Sequence, residues 1–276
     1  MAVSFLKTKL YIPPVRPDMV SRPHLIAKLE DGLRPGNKLI LLSAPAGVGK
    51  TTLLSEWVVG RELRTRVAWL SLDEGDNDVA RFWSYAIFAL QTLEPAIGQT
   101  ALGALQASQA QLPPLESLLI SLVNDITNLL SGDRPYILVL DDYHVLETEA
   151  IHDSLNDLLD HLPPAFHLVI ASREDPPLAL SLLRGRGQLS EIRAADLRFT
   201  PAEATKFLNV VMDLKLPATD ITALENRTEG WAVGLHLAAL SLQGQADSEA
   251  HDFVSAFAGD DRYIADYLLD QVLRRQ

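Results

Sequence analysis

The chain has 276 residues, a formal charge of −12 at pH 7 and no cysteine. At roughly 150 residues per domain, the length suggests about two domains. The content of 47% hydrophobic and 22% charged residues is ordinary for a packed fold. The lack of cysteine excludes disulfides, thiolate metal sites and cysteine nucleophiles. The acidity argues against a bare nucleic-acid binder, because nonspecific affinity comes from Lys and Arg neutralising phosphates. No apolar run reaches 18 residues, so no membrane span is expected. The first residues, MAVSFLKTKLYIPP, lack the apolar core of a signal peptide. The expectation is a cytoplasmic protein with no membrane contact.

Residues 1–24 hold Pro13, Pro14, Pro17 and Pro23, which predicts extended rather than helical chain. Residues 39–43 (LILLS) read as a buried strand, and a helical pattern runs from Thr51 to Val59. A second strand is expected at 67–72. Val79 to Leu93 repeats apolar residues at spacings of three and four, the mark of an amphipathic helix; Asp76 or Asp78 can cap it. Leu115 to Leu130 repeats that pattern. Tyr136 to Leu140 is a short apolar run, read as a strand buried on both faces. A helix over 151–162 and a strand over 166–171 follow. Strand and helix alternating in this way predict an α/β fold, a parallel sheet flanked by helices.

Near residue 200 the pattern changes. Thr200-Pro201-Ala202-Glu203 is a capping box with proline in the first helical position. Helices are then expected over about 201–213, 219–228, 232–242 and 249–274, with Gly230 as a terminator. The predicted domains are 1–199, α/β with an extended N-terminal segment, and 200–276, a smaller all-helical domain. The last residues, LLDQVLRRQ, continue a helical pattern without a stop signal, so the chain is expected to be a fragment of a longer one.

Between the first strand and its helix lies Ala44-Pro-Ala-Gly-Val-Gly-Lys-Thr51. It follows the P-loop pattern G-x-x-x-x-G-K-[ST], with alanine in the first position. Such a loop turns backbone N–H groups around phosphate oxygens, and the following helix adds its positive end. The predicted nucleotide-binding residues here are Ala46, Gly47, Val48, Gly49, Lys50, Thr51 and Thr52. Lys50 would meet the β- and γ-phosphates, and the Thr51 hydroxyl would ligate Mg2+. A P-loop also needs a carboxylate at a neighbouring strand end. Asp141 is the candidate metal ligand. Asp142 is the candidate base for the water attacking the γ-phosphate, unless the pair merely caps a turn. Arg173 closes another strand and would sense the γ-phosphate, or else pair with Glu174 or Asp175. Asp73 and Glu74 follow a strand and read as loop charges more readily than as site residues. The four histidines at 144, 152, 161 and 167 show no zinc spacing.

Taken together, TKLYIPPVRPDMVSRPHL, LLSAPAGVGKTTLLSEW, VAWLSLDEGDNDVARFW, ILVLDDYHVL, ASREDPPLALSLLRGRGQLSEIRAADLRFTPAEATKFLN and RTEGWAVGLHLAALSL resemble the N-terminal ATPase region of MalT-like regulators. These are LuxR-type transcriptional activators of the STAND class of P-loop NTPases. The resemblance implies a switch with ADP at rest and ATP when active. It implies slow hydrolysis, self-association in the ATP state, and inducer and DNA contacts made by segments absent from this chain. It also implies that Val20 and Arg22 touch the nucleotide. The family's Gly-x-Pro element reads Gly230-Trp231-Ala232 here, without the proline; Trp231 reads more readily as a core aromatic than as a neighbour of the adenine. The alternatives are a turnover ATPase or phosphotransferase, and a nucleotide-binding scaffold that does not hydrolyse.

Overall fold

The computed structural model describes residues 5–16, 19–61, 63–107, 114–130, 134–243, 251, 253 and 254. The chain forms two compact units. The larger takes residues 1–14, 24–43 and 54–192; the smaller takes 15–23, 44–53 and 193–276. The sequence places a boundary near 200, and the division falls at 192/193. No linear reading of the chain would assign 15–23 and 44–53 to the helical unit.

Among the described residues, five strands form one sheet: β1 (Leu39–Ser43), β2 (Val67–Ser71), β3 (Tyr136–Asp141), β4 (Phe166–Ser172) and β5 (Leu189–Arg193). Their spatial order is β2-β3-β4-β1-β5. β1 pairs parallel with β4, β4 with β3, and β3 with β2. Every residue of β1 and β4 is buried, which is why these strands read as unbroken apolar runs. β5 is mostly half-buried, and its sequence LSEIR carried no strand signal.

The helices are α1 (Pro23–Asp31), α2 (Lys50–Gly60), α3 (Val79–Leu90), α4 (Gln99–Ala107), α5 (Leu115–Leu129), α6 (Glu149–His161) and α7 (Leu180–Gly185), then α8 (Ala194–Leu197), α9 (Pro201–Lys206), α10 (Ala218–Thr228) and α11 (Ala232–Leu242). In the larger unit, α3, α5 and α6 cover one face of the sheet. Phe82, Trp83 and Ile87, Leu122 and Ile126, and Leu155 and Leu158 meet Leu39 and Leu41, Leu138 and Leu140, and Leu168 and Ile170. The alternate strand residues in that set are the period-two face of the sheet. Each such side chain contributes about 1.5–3 kcal/mol on full burial. The Trp83 indole N–H donates to Ser154 Oγ at 3.1 Å, so this buried ring leaves no polar atom unsatisfied. Asp78 caps α3 by accepting from the Arg81 amide at 2.8 Å.

The N-terminal segment corrects one expectation. Lys7–Leu10 forms a 3-10 turn, and α1 begins at Pro23. The prolines start only at 13, so the earlier turn is unconstrained, and Pro23 takes the first helical position, where its missing N–H costs nothing. Lys9 is buried against Asp76, which is itself fully buried. Its ammonium also lies 3.0 Å from Asp73.

The smaller unit has its own core, built from Val20, Leu208, Leu224, Leu235, Ala238 and Leu242. Its capping box closes as the sequence predicts. The Thr200 hydroxyl accepts from the Glu203 amide at 3.3 Å, and Glu203 accepts from the Thr200 amide at 2.9 Å. The predicted helix over 201–213 is regular only to Lys206; Phe207–Val211 widens into a π-turn. There the Asn209 side chain is drawn aside to pair with both backbone groups of Leu216. The helix expected over 249–274 lies almost wholly outside the described residues. No helix among the described residues is long and apolar enough to cross a membrane.

Candidate functional site

β1 runs directly into the loop 44–49, and α2 begins at Lys50. Gly47 and Gly49 have φ of 76° and 91°, values that only glycine adopts without strain. Ala44 is absent from the positive-φ residues and is buried. The first motif position therefore needs no glycine here. The loop is fixed by two of its carbonyls within the smaller unit. Trp231 Nε1 donates to Ala46 O at 3.0 Å, and the Val233 amide donates to Gly47 O at 3.1 Å. In a trans peptide the C=O and the following N–H point in opposite directions. Turning these carbonyls toward the start of α11 therefore aims the amides of Gly47 and Val48 to the loop's other side. Lys50 is buried, and its ammonium donates to Ala44 O at 2.6 Å and Pro45 O at 3.0 Å. Val48 is buried too, and Thr51 and Thr52 are half-buried in the first turn of α2.

Val20 and Arg22 belong to the same unit. Val20 sits in its core. The Arg22 guanidinium donates to Leu197 O at 2.8 Å, Arg198 O at 2.5 Å and both carboxylate oxygens of Glu203, at 3.0 and 3.1 Å. It also lies 5.1 Å from the Phe199 ring centre. Partial burial disfavours the charged form of Glu203, but the Arg22 hydrogen bonds and the Thr200 amide carry its carboxyl below the usual range. Arg22 thus ties the segment 19–22 to the start of α9. Nothing in the local sequence pairs positions 22 and 203, and only the resemblance gave Arg22 any role.

The remaining predicted residues lie in the larger unit. Leu41 and Leu140 both pair with Ile170, and Ser43 pairs with Ser172. The carboxyl ends of β1, β3 and β4 therefore finish at one level, with β4 between the other two. Asp141 is buried at the end of β3. Its Oδ1 accepts from the Asp142 amide at 3.1 Å, and its carbonyl accepts from the Leu72 amide at 3.0 Å. Asp142 follows in the left-handed region, φ 60° and ψ 38°, with its carboxylate about half exposed. Tyr143 is buried, with its hydroxyl 2.7 Å from His152 Nδ1, and burial pushes that hydroxyl well above its ordinary pKa. Arg173 is half-buried just after β4. Ser43 Oγ donates to Asp175 at 2.7 Å, joining the end of β1 to the segment after β4. Asp73 faces Lys9 and Arg81. Burial works against its charge, but Lys9, Arg81 and the Gly75 amide together carry its carboxyl down.

Among the described residues, no group of three or more His, Asp or Glu side chains could hold a metal. The two predicted Mg2+ ligands, the Thr51 hydroxyl in the smaller unit and the Asp141 carboxylate in the larger, are each of the oxygen type that ion takes, and it keeps several of its waters.

The glycine loop between β1 and α2, and the acid-ended strand one removed from β1, define a P-loop nucleotide-binding ATPase domain. The chain belongs to the family described as the AAA ATPase domain, whose model matches residues 20–171. Over 269 residues it is 37% identical to the HTH-type transcriptional regulator MalT from each of two Klebsiella pneumoniae strains. The match covers 97% of this chain, which spans 29% of the length of those regulators. The resemblance drawn from the motifs therefore holds along almost all of these residues. Among solved structures, a Walker-type ATPase of Pyrococcus abyssi superposes with a TM-score of 0.54 at 17% identity, covering 95% of this chain and 78% of that one. Cdc6p of Pyrobaculum aerophilum gives 0.50 at 17%, covering 87% and 66%. At that identity the two likenesses bear on the fold alone.

Proposed function

We propose that these residues form the ATP-binding switch module of a MalT-like transcriptional regulator. In this reading the loop amides and Lys50 take the β- and γ-phosphates. Mg2+ is held by Thr51 and Asp141, and when bound it neutralises charge on the phosphate oxygens. Asp142 takes a proton from the water that attacks the γ-phosphorus, as the bond to the ADP oxygen breaks and phosphate leaves. Arg173 reads the γ-phosphate. Val20 and Arg22 act by holding the segment 19–22 in place beside the nucleotide. ADP at rest, ATP-driven self-association and slow hydrolysis as the reset complete the cycle. Inducer and DNA are met by polypeptide outside these 276 residues, and the setting is the cytoplasm.

The observation that carries this reading is the grip of α11 on the loop, through the bonds from Trp231 to Ala46 and from Val233 to Gly47. ATP and ADP differ by one phosphoryl group, and a ligand moves an equilibrium only by its differential affinity for two states. Shifting a population from 1:99 to 99:1 takes about 5.5 kcal/mol. A helix bonded to the phosphate loop is a direct route from that difference to the helical unit. Trp231→Phe keeps an aromatic ring, smaller than the indole, and removes the N–H. We expect it to change the ratio of ADP to ATP affinity by about fivefold or more, the lower end of ordinary coupling. Titration calorimetry with both nucleotides checks this. An unchanged ratio would contradict the coupling.

A further inference from the structure

The turn after Asp142 is bracketed by the segment that follows β2. At one end the Leu72 amide holds the Asp141 carbonyl at 3.0 Å. At the other end a single side chain reaches three backbone groups of the turn. Asn77 Nδ2 donates to Val145 O at 2.7 Å, and its Oδ1 accepts from the Glu147 amide at 2.6 Å and the Thr148 amide at 3.2 Å. The Thr148 hydroxyl closes the bracket by donating to Asn77 O at 2.7 Å. The second Nδ2 hydrogen goes to Glu74 O at 3.1 Å. The amide is thereby used on both its donor and its acceptor side, which neither a carboxylate nor an aliphatic group of the same shape can do.

The residue under this bracket is Asp142, a non-glycine residue at φ 60°. Such a conformation persists only where the surroundings over-determine it. Local bonds supply part of that constraint: the Val145 amide reaches Asp142 O at 3.2 Å, and the Leu146 amide reaches Tyr143 O at 3.1 Å. Asn77 fixes the far end of the same turn. The bracket itself is anchored one residue earlier, because the neighbouring Asp76 is buried against Lys9 and Arg81.

We propose that Asn77 is a positioning residue for Asp142. By holding Val145, Glu147 and Thr148 it fixes the turn, and through the turn the direction of the Asp142 carboxylate. This rests on the reading of Asp142 as the base in hydrolysis. Asn77 itself touches neither nucleotide nor water in that step.

The test uses the whole chain, with single-turnover hydrolysis of radiolabelled Mg-ATP and binding of a fluorescent ATP analogue. The variants are Asn77→Ala, Asn77→Asp, Asp142→Asn and the Asn77→Ala/Asp142→Asn pair. Misplacing a catalytic group from a distance costs up to about 100-fold, so Asn77→Ala is expected to slow hydrolysis roughly 10–100-fold with affinity unchanged within about twofold. Asn77→Asp keeps the acceptor for Glu147 and Thr148, and should recover part of the rate; it also carries the test if the alanine variant does not fold. In the pair, the Asn77 change should add nothing to Asp142→Asn, because residues acting through one another are not additive. A wild-type rate in Asn77→Ala, or a further loss in the pair, would overturn the inference while leaving the base reading intact. An Asp142→Asn variant as fast as the wild type would remove the base reading and this inference with it.

Discussion

Gly230 shows how one residue can decide a junction. Its φ is 68°, and a Cβ built there would lie 2.6 Å from Phe199 O and 2.9 Å from Phe199 N. The Phe199 amide donates to Gly230 O at 2.8 Å, so the close approach is itself a bond. Trp231 and its contact with the phosphate loop come next in the chain. Gly230→Ala therefore meets both a dihedral penalty and a backbone clash, and should destabilise by roughly 1–3 kcal/mol. Gly103 is the contrast: it lies within α4, has ordinary φ and has nothing near its would-be Cβ. Gly103→Ala should stabilise by roughly 0.5–1 kcal/mol, the cost of glycine within a helix. Urea midpoints at constant slope measure both. Equal midpoints for the two variants would contradict the argument.

At the scale of elements, part of the pH response comes from two buried histidines. His167 in β4 has Nδ1 2.9 Å from Asn37 O, and His152 in α6 faces the Tyr143 hydroxyl. Burial lowers both pKa values below 6.5, and the nearby carbonyls and carboxylates offset only part of that. Between the lowered folded values and 6.5 the unfolded chain binds more protons, so stability rises with pH there. It is fully present above about pH 6.5 and is lost as pH falls through that window. His167→Gln should flatten the fall in urea midpoint between pH 7.5 and 5.5; an equal slope would contradict this. Strand β4 also shows what the sequence made legible. Strands buried on both faces announce themselves as apolar runs, and the glycine loop and capping box are local patterns. β5 escaped notice because an edge strand is only half-buried. Asn77 escaped because its partners lie about 70 residues away, and the pairing of Arg22, a residue given a role only by the resemblance, spans about 180. Such pairs exist only once the chain is folded.

At the scale of the whole molecule, one loop answers to two descriptions. By sequence, residues 44–53 belong to the α/β domain. By contact, they cluster with the helical unit, whose α11 bonds two of the loop carbonyls. In the proposed switch, a ligand seated on this loop would bear directly on the helical unit that holds its carbonyls. The proposed switch therefore stands or falls on phosphate binding at Lys50. Lys50→Ala removes the ammonium from the loop and takes no apolar core side chain away. Titration calorimetry with Mg-ATP should show saturable binding to the wild type and no tight binding to the folded variant. Equal affinity in the two proteins would show that the triphosphate is held elsewhere, against the account.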